Sequence, residues 1–120
     1  MLTTYFNDQS WLAMQPNNQL EVDSANASIA LKQGAVLINK TTAAAMLLAA
    51  PTPFFDDGKK LKIIAATAHA HTVTTPANTI NGASDTVTFA AVGDWVELVA
   101  YNGIWYATVG GPTPAALSEV

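Results

Sequence analysis

Few side chains in this sequence have the capacity for chemistry. His69 and His71 flank a single alanine. On a strand, residues i and i+2 share a face, so two imidazoles could point at one ion. No third or fourth ligand lies near in sequence. A metal would need further ligands from copies meeting at a threefold axis. The plainer reading is a pair of exposed or interfacial histidines, able to make an interface pH-sensitive around their reference pKa of ~6.5. Asp56-Asp57, with Asp94 and Glu97 elsewhere, offers carboxylates for acid/base work or calcium. Asp56-Asp57-Gly58 lacks the alternating oxygen ligands of an EF-hand, however, and reads as a turn. There is no cysteine, which excludes disulfides, thiolate metal sites and cysteine nucleophiles. G-x-S-x-G, H-E-x-x-H and glycine-rich phosphate loops are absent too, and Gly110-Gly111-Pro112 reads as a strand exit. Trp95, Tyr101, Trp105 and Tyr106 concentrate in one stretch. Exposed on a sheet, such rings could stack on sugars; buried, they supply a core and a subunit interface. The second use is preferred. The chain is expected not to be an enzyme and to need no cofactor or metal.

The element that positions these aromatics runs from Asp85 to Val109. It reads as two strands folded back through Asn102-Gly103, a dipeptide suited to a type I′ turn because both central residues take φ > 0. Trp95, Glu97 and Val99 alternate with Val96, Leu98 and Ala100. On the return arm, Trp105 and Ala107 alternate with Ile104, Tyr106 and Thr108. Each arm therefore has two faces, both carrying apolar side chains. One face is expected to meet the domain's own core and the other a second layer or subunit.

The chain of 120 residues accommodates one domain with a real core. Only 12% of it is charged, against about 25% in ordinary soluble domains, which suggests a surface covered by partners. The net charge is −4, with five lysines and no arginine; a phosphate-binding footprint needs clustered cations, so nucleic acid is rejected as a direct partner. The start, MLTTYFNDQS, has neither a basic region nor an apolar run, so no secretory signal is expected. No apolar run approaches the ~18 residues of a membrane span. Synthesis in the cytoplasm and solubility until a partner is met are the expectations.

Residues 1–27 hold no persistent period, yet carry Tyr5, Phe6, Trp11, Leu12 and Met14 among Asn and Gln. Such large groups are enriched at interfaces and scarce in disordered tails. An extended arm that orders against another subunit is expected there. From Ser28 the texture becomes β, with strands expected around Ile29–Lys32, Ala35–Ile38, Leu61–Ala65, His71–Thr75 and Thr86–Phe89, before the hairpin. Ala43–Ala50 is rich in helix formers but short, flanked by Thr41-Thr42 and Pro51, and is read as a strand. Pro51–Gly58 is a loop. About seven or eight short strands at even spacing point to an all-β fold, a small antiparallel β-sandwich or barrel. The domain plan is an N-terminal arm (1–27), a β domain (28–110) and a C-terminal tail (111–120).

The ordered series Leu48–Pro51 (LAAP), Asp57–Ile63 (DGKKLKI), His71–Thr75 (HTVTT), Ile80–Gly82 (ING), Thr86–Phe89 (TVTF) and Val96–Tyr106 (VELVAYNGIWY) resembles the small β domains of tailed-bacteriophage head decoration (cement) proteins, head fibres and some tail-fibre modules. The likeness spans about residues 35–109; residues 1–27 have no counterpart in it. It implies a virion structural protein that binds the outer capsid surface as a homotrimer, with the major capsid protein as partner. The contact residues would be Tyr5, Phe6, Trp11, Leu12 and Met14 on the arm, with Trp95, Tyr101, Trp105 and Tyr106 on the hairpin. A fibre module is the alternative within that resemblance; outside it stands a carbohydrate-binding β domain.

Overall fold

In a computed structural model the chain is described over residues 19–119. These form nine strands and no helix: β1 Leu20–Asp23, β2 Gly34–Ile38, β3 Ala45–Leu47, β4 Lys60–Ala65, β5 Thr72–Thr74, β6 Thr86–Thr88, β7 Trp95–Tyr101, β8 Ile104–Gly110 and β9 Ala116–Ser118. A five-stranded sheet in the order β1-β2-β4-β7-β8 shares one core with a four-stranded sheet in the order β3-β5-β6-β9. The all-β class follows from period-2 patterning. In β4, Leu61, Ile63 and Ala65 are buried while Lys60, Lys62 and Ile64 face outward; in β7, Val96, Leu98 and Ala100 are buried. The strands of the smaller sheet are triplets whose central residue points inward. Met46, Val73, Val87 and Leu117 stand side by side in one row across it.

Even spacing of strands and turns suggests purely antiparallel pairing, but the sheets are mixed. β1-β2, β2-β4 and β3-β5 are parallel. The reason is the path of the chain, which changes sheet with nearly every strand up to β5. Neighbours within a sheet are thus one full winding apart and run the same way. Gly34 pairs with Leu61 and Ala45 with Thr72, an offset of 27 residues in both sheets. An earlier, shorter winding sets Ala27–Ile29 along β3, with Ile29 N–H donating to Leu47 O (2.7 Å) and Leu47 N–H to Ala27 O (3.0 Å). The parallel half ends at β4 and β5, onto which the antiparallel β7-β8 hairpin and β6-β9 pair dock.

Two boundaries differ from the sequence reading. Residues 20–23, expected in the arm, form β1; its alternation is disguised because the charged residues face inward. Glu21 accepts hydrogen bonds from Ala30 N–H and Leu31 N–H, both at 3.0 Å. Residues 116–118, expected in the tail, form β9, where Leu117 completes the inner row. Ile29–Lys32 is not a strand beyond a single bridge at Ser28. The hairpin turn is as expected, with φ +51° at Asn102 and +81° at Gly103.

Candidate interaction surface

The hairpin register decides which aromatics reach the surface. Ala100 pairs with Trp105, so Trp105 shares the inward face of Val96 and Leu98 and is fully buried. Its indole Nε1–H donates to Ala49 O at 3.0 Å, tying the larger sheet to the segment after β3. Trp105, expected at an interface, is therefore a core residue. Trp95, Tyr101 and Tyr106 lie on the opposite face, the two tyrosines 60% and 48% exposed. Tyr5, Phe6, Trp11, Leu12 and Met14 lie outside the described residues.

Register extends Trp95 into a row. Val22, Leu37, Ile64 and Trp95 are successive cross-strand partners over β1, β2, β4 and β7, and Gly110 on β8 follows. The Trp95 ring lies over Gly110, where an added Cβ would run into the ring and displace it. Lys62 Nζ sits 4.8 Å from the Trp95 centroid, a cation–π contact. The next row, Leu20, Ala35, Lys62, Glu97 and Thr108, brings in the polar groups. The outer face of the five-stranded sheet is thus an apolar band with a polar margin.

A second surface feature lies at the Pro51–Lys59 loop, which sequence reading treats only as a connection. Asp56 is its post. The buried carboxylate accepts from Lys59 Nζ (2.7 Å), Thr52 N–H (2.6 Å) and Lys32 Nζ (3.2 Å). The Lys59 bond first, then the Thr52 amide and Lys32, hold its pKa below the ordinary carboxylate value against the opposing effect of burial. Asp57 accepts from Asn102 N–H (2.8 Å) and Phe54 N–H (3.2 Å), and Gly58 N–H donates to Ala100 O (2.7 Å). The two aspartates are accordingly structural acceptors that brace the loop against the hairpin tip.

The histidines do not share an open face. Residues 66–69 bend ahead of β5, and His71 is fully buried while His69 is half-buried. His71 Nδ1 accepts from Ala44 N–H at 3.0 Å, and Nε2 lies 2.8 Å from Thr67 Oγ1, whose hydroxyl donates to Lys40 O at 2.6 Å. With the Thr67 proton committed, Nε2 carries the hydrogen and Nδ1 does not, so both ring nitrogens are engaged and the ring is neutral. Burial lowers its pKa first, with the charges of His69 and Lys40 acting the same way. An unfolded histidine takes up its proton near ~6.5, so below that pH the unfolded chain binds more protons and stability falls with pH. Relative to His71→Gln, the wild type is expected to lose stability between pH 7.5 and 5.5 with a slope of up to ~1.4 kcal/mol per pH unit. Urea unfolding of both at several pH values checks this; parallel profiles would refute it. The comparison also cancels Asp23, which works in the opposite sense.

Asp23 was not singled out by sequence. Burial, followed by the neighbouring Glu21 carboxylate, pushes its pKa up to about 6. Its Oδ2 is buried with no hydrogen-bond partner. The signal available in sequence was the Glu21-x-Asp23 spacing, which puts two carboxylates on one side of any strand. Asp94, fully buried, accepts from Ala90 N–H and Ala91 N–H (both 2.9 Å) and Thr113 N–H (3.0 Å); it is a turn anchor rather than an acid or base. Among the described residues, no group of three or more His, Cys, Asp or Glu side chains is placed to hold a metal ion. No protein-family model matches this chain, and no curated protein sequence matches it.

Proposed function

We propose that this is a virion structural protein, a capsid decoration protein that sits as a homotrimer on the outer surface of a tailed-phage head and stabilises the shell by binding the major capsid protein. The observation that carries the reading is the apolar row Val22, Leu37, Ile64 and Trp95 on the outside of the larger sheet, in a chain with only 12% charged residues. Exposure of such a face to water costs free energy, and covering it removes that cost. The resemblance of residues 35–109 supplies the partner. β1 is the edge strand of the same sheet, and Tyr5, Phe6, Trp11, Leu12 and Met14, which precede it in sequence, are assigned to the same contact. Tethering them adds effective concentration to the docked face.

The test is the abundance of the chain relative to the major shell subunit in purified virions, by quantitative mass spectrometry. Comparable abundance is expected; a handful of copies would mean a fibre or tail component, and absence would end the reading. Deletion of residues 1–18, which leaves β1 intact, is expected to preserve the β domain by circular dichroism and to abolish binding to particles that lack the protein. Decoration by the truncated chain would remove the arm from the mechanism.

A further inference from the structure

Phe54 and Phe55 are 89% and 83% exposed, at the tip of the Pro51–Lys59 loop. The loop is rigidly held beneath them by Asp56, Asp57 and Gly58, and Phe54 takes φ +78°, a conformation that bulky residues rarely adopt unless their surroundings enforce it. Two adjacent phenyl rings fixed in water form a preorganised apolar knob. A second apolar feature lies where β3 and β5 end: a groove of about 360 Å³ lined by Ile29, Leu47, Leu48, Ala49, Thr75 and Pro76, with no charged side chain in its lining.

The knob does not fill the groove of its own chain, since both rings stand in water. Phe54 follows Ala49 by five residues, and both ends of that connection are pinned to the hairpin, Ala49 through Trp105 and the loop through Asn102 and Ala100. The connection spans at most ~18 Å, so knob and groove lie near one another as separate, fixed patches. A closed ring of identical copies needs two different, complementary patches on each chain, and these are such a pair. Among the described residues, the buried carboxylate under the knob, Asp56, is already paired with Lys32 and Lys59, whose ammonium groups keep access to solvent.

We propose that Phe54 and Phe55 of one copy seat in the Ile29–Leu47–Pro76 groove of the next, making a head-to-tail contact between copies. This rests on the homotrimer of the reading above and not on the shell. The absence of cysteine permits a direct test. Phe54→Cys and Leu47→Cys chains are co-expressed and oxidised; Leu47 is 57% exposed and Val92, the control position, 53%. A covalent dimer is expected at ten-fold or more the yield given by Phe54→Cys with Val92→Cys. A yield equal to the control, or preferential linkage of Phe54→Cys to itself, would overturn the contact. In sedimentation velocity, Leu47→Asp and the double variant Phe54→Ala/Phe55→Ala are each expected to turn the oligomer into monomer with unchanged circular dichroism. A wild-type chain that stays monomeric, or variants that stay oligomeric, would also overturn it. Cross-linked copies that fail to decorate particles would leave this contact standing and sink the shell reading; decoration without the cross-link would do the reverse.

Discussion

Replacement of Trp105 by alanine should lower the unfolding free energy by about 4 kcal/mol, a large share of the 5–15 kcal/mol typical of a whole domain (roughly). Two losses combine. The indole is fully buried between the sheets, and truncation leaves a cavity that the surrounding strands, fixed by their ladders, close only in part. The Nε1–H bond to Ala49 O disappears as well, leaving a carbonyl without its partner. Trp105→Phe separates the two, since it restores most of the volume and still lacks the donor; about 1–2 kcal/mol is expected for it. Urea unfolding measures both. An alanine variant within about 1 kcal/mol of wild type would mean the indole is not the bridge between sheets, because surface substitutions cost no more than that.

The second large effect is at Asp94. Burial opposes its ionisation, but the amides of Ala90, Ala91 and Thr113 outweigh it and hold the pKa below the ordinary value. Those amides belong to two separate segments, the turn before β7 and the turn between β8 and β9. Asp94→Ala removes the acceptor from all three, and about 3 kcal/mol is expected to be lost. Asp94→Asn keeps one acceptor oxygen but turns an N–H toward an amide that needs an acceptor, for a loss of about 2 kcal/mol. The readout specific to this arrangement is hydrogen exchange. The amides of β9 should gain exchange ahead of those of β7, because the tether to Thr113 is what carries the chain from one sheet to the other. Uniform acceleration throughout the domain would contradict that role. The sign with pH follows from a depressed carboxylate: the stabilisation is present above the unfolded pKa, 3.8, and is lost as pH falls through the lower folded value.

How far the sequence discloses this molecule depends on the range of the interaction. Local signals suffice for the central strands β2 to β8, though not for β1 and β9. Asn102-Gly103 announces its turn, and once that turn is granted the register follows: Tyr101 opposes Ile104 and Ala100 opposes Trp105. The burial of Trp105 was therefore legible, and pooling it with Trp95 as a surface aromatic ignored the arithmetic of a two-residue turn. The parallel windings were not legible, since Gly34–Leu61 and Ala45–Thr72 pairing is set by contacts 27 residues apart, between stretches with no shared motif. β1 was concealed because its inward residues are Glu21, which accepts from the amides of Ala30 and Leu31, and Asp23, a carboxylate rather than a member of the apolar core. The exposed Phe54 and Phe55 are the reverse case. Composition sends phenylalanine inside, and only the bracing by Asp56 and Asp57 shows why these two stay out.

The winding of the first five strands also has a mechanical consequence. β1 lies at the rim of the larger sheet, joined along one side only, to β2. Force applied through the chain ahead of residue 19 meets the strands one at a time. It unzips β1, then β2 and β3, instead of shearing several ladders together. After the shorter step at β1, each of the 27-residue windings released would add roughly 90 Å of contour, while the β7-β8 hairpin and the Trp105 bridge stay seated. A domain strung by its N-terminal segment would pay out slack in steps before its core gave way, a built-in shock absorber.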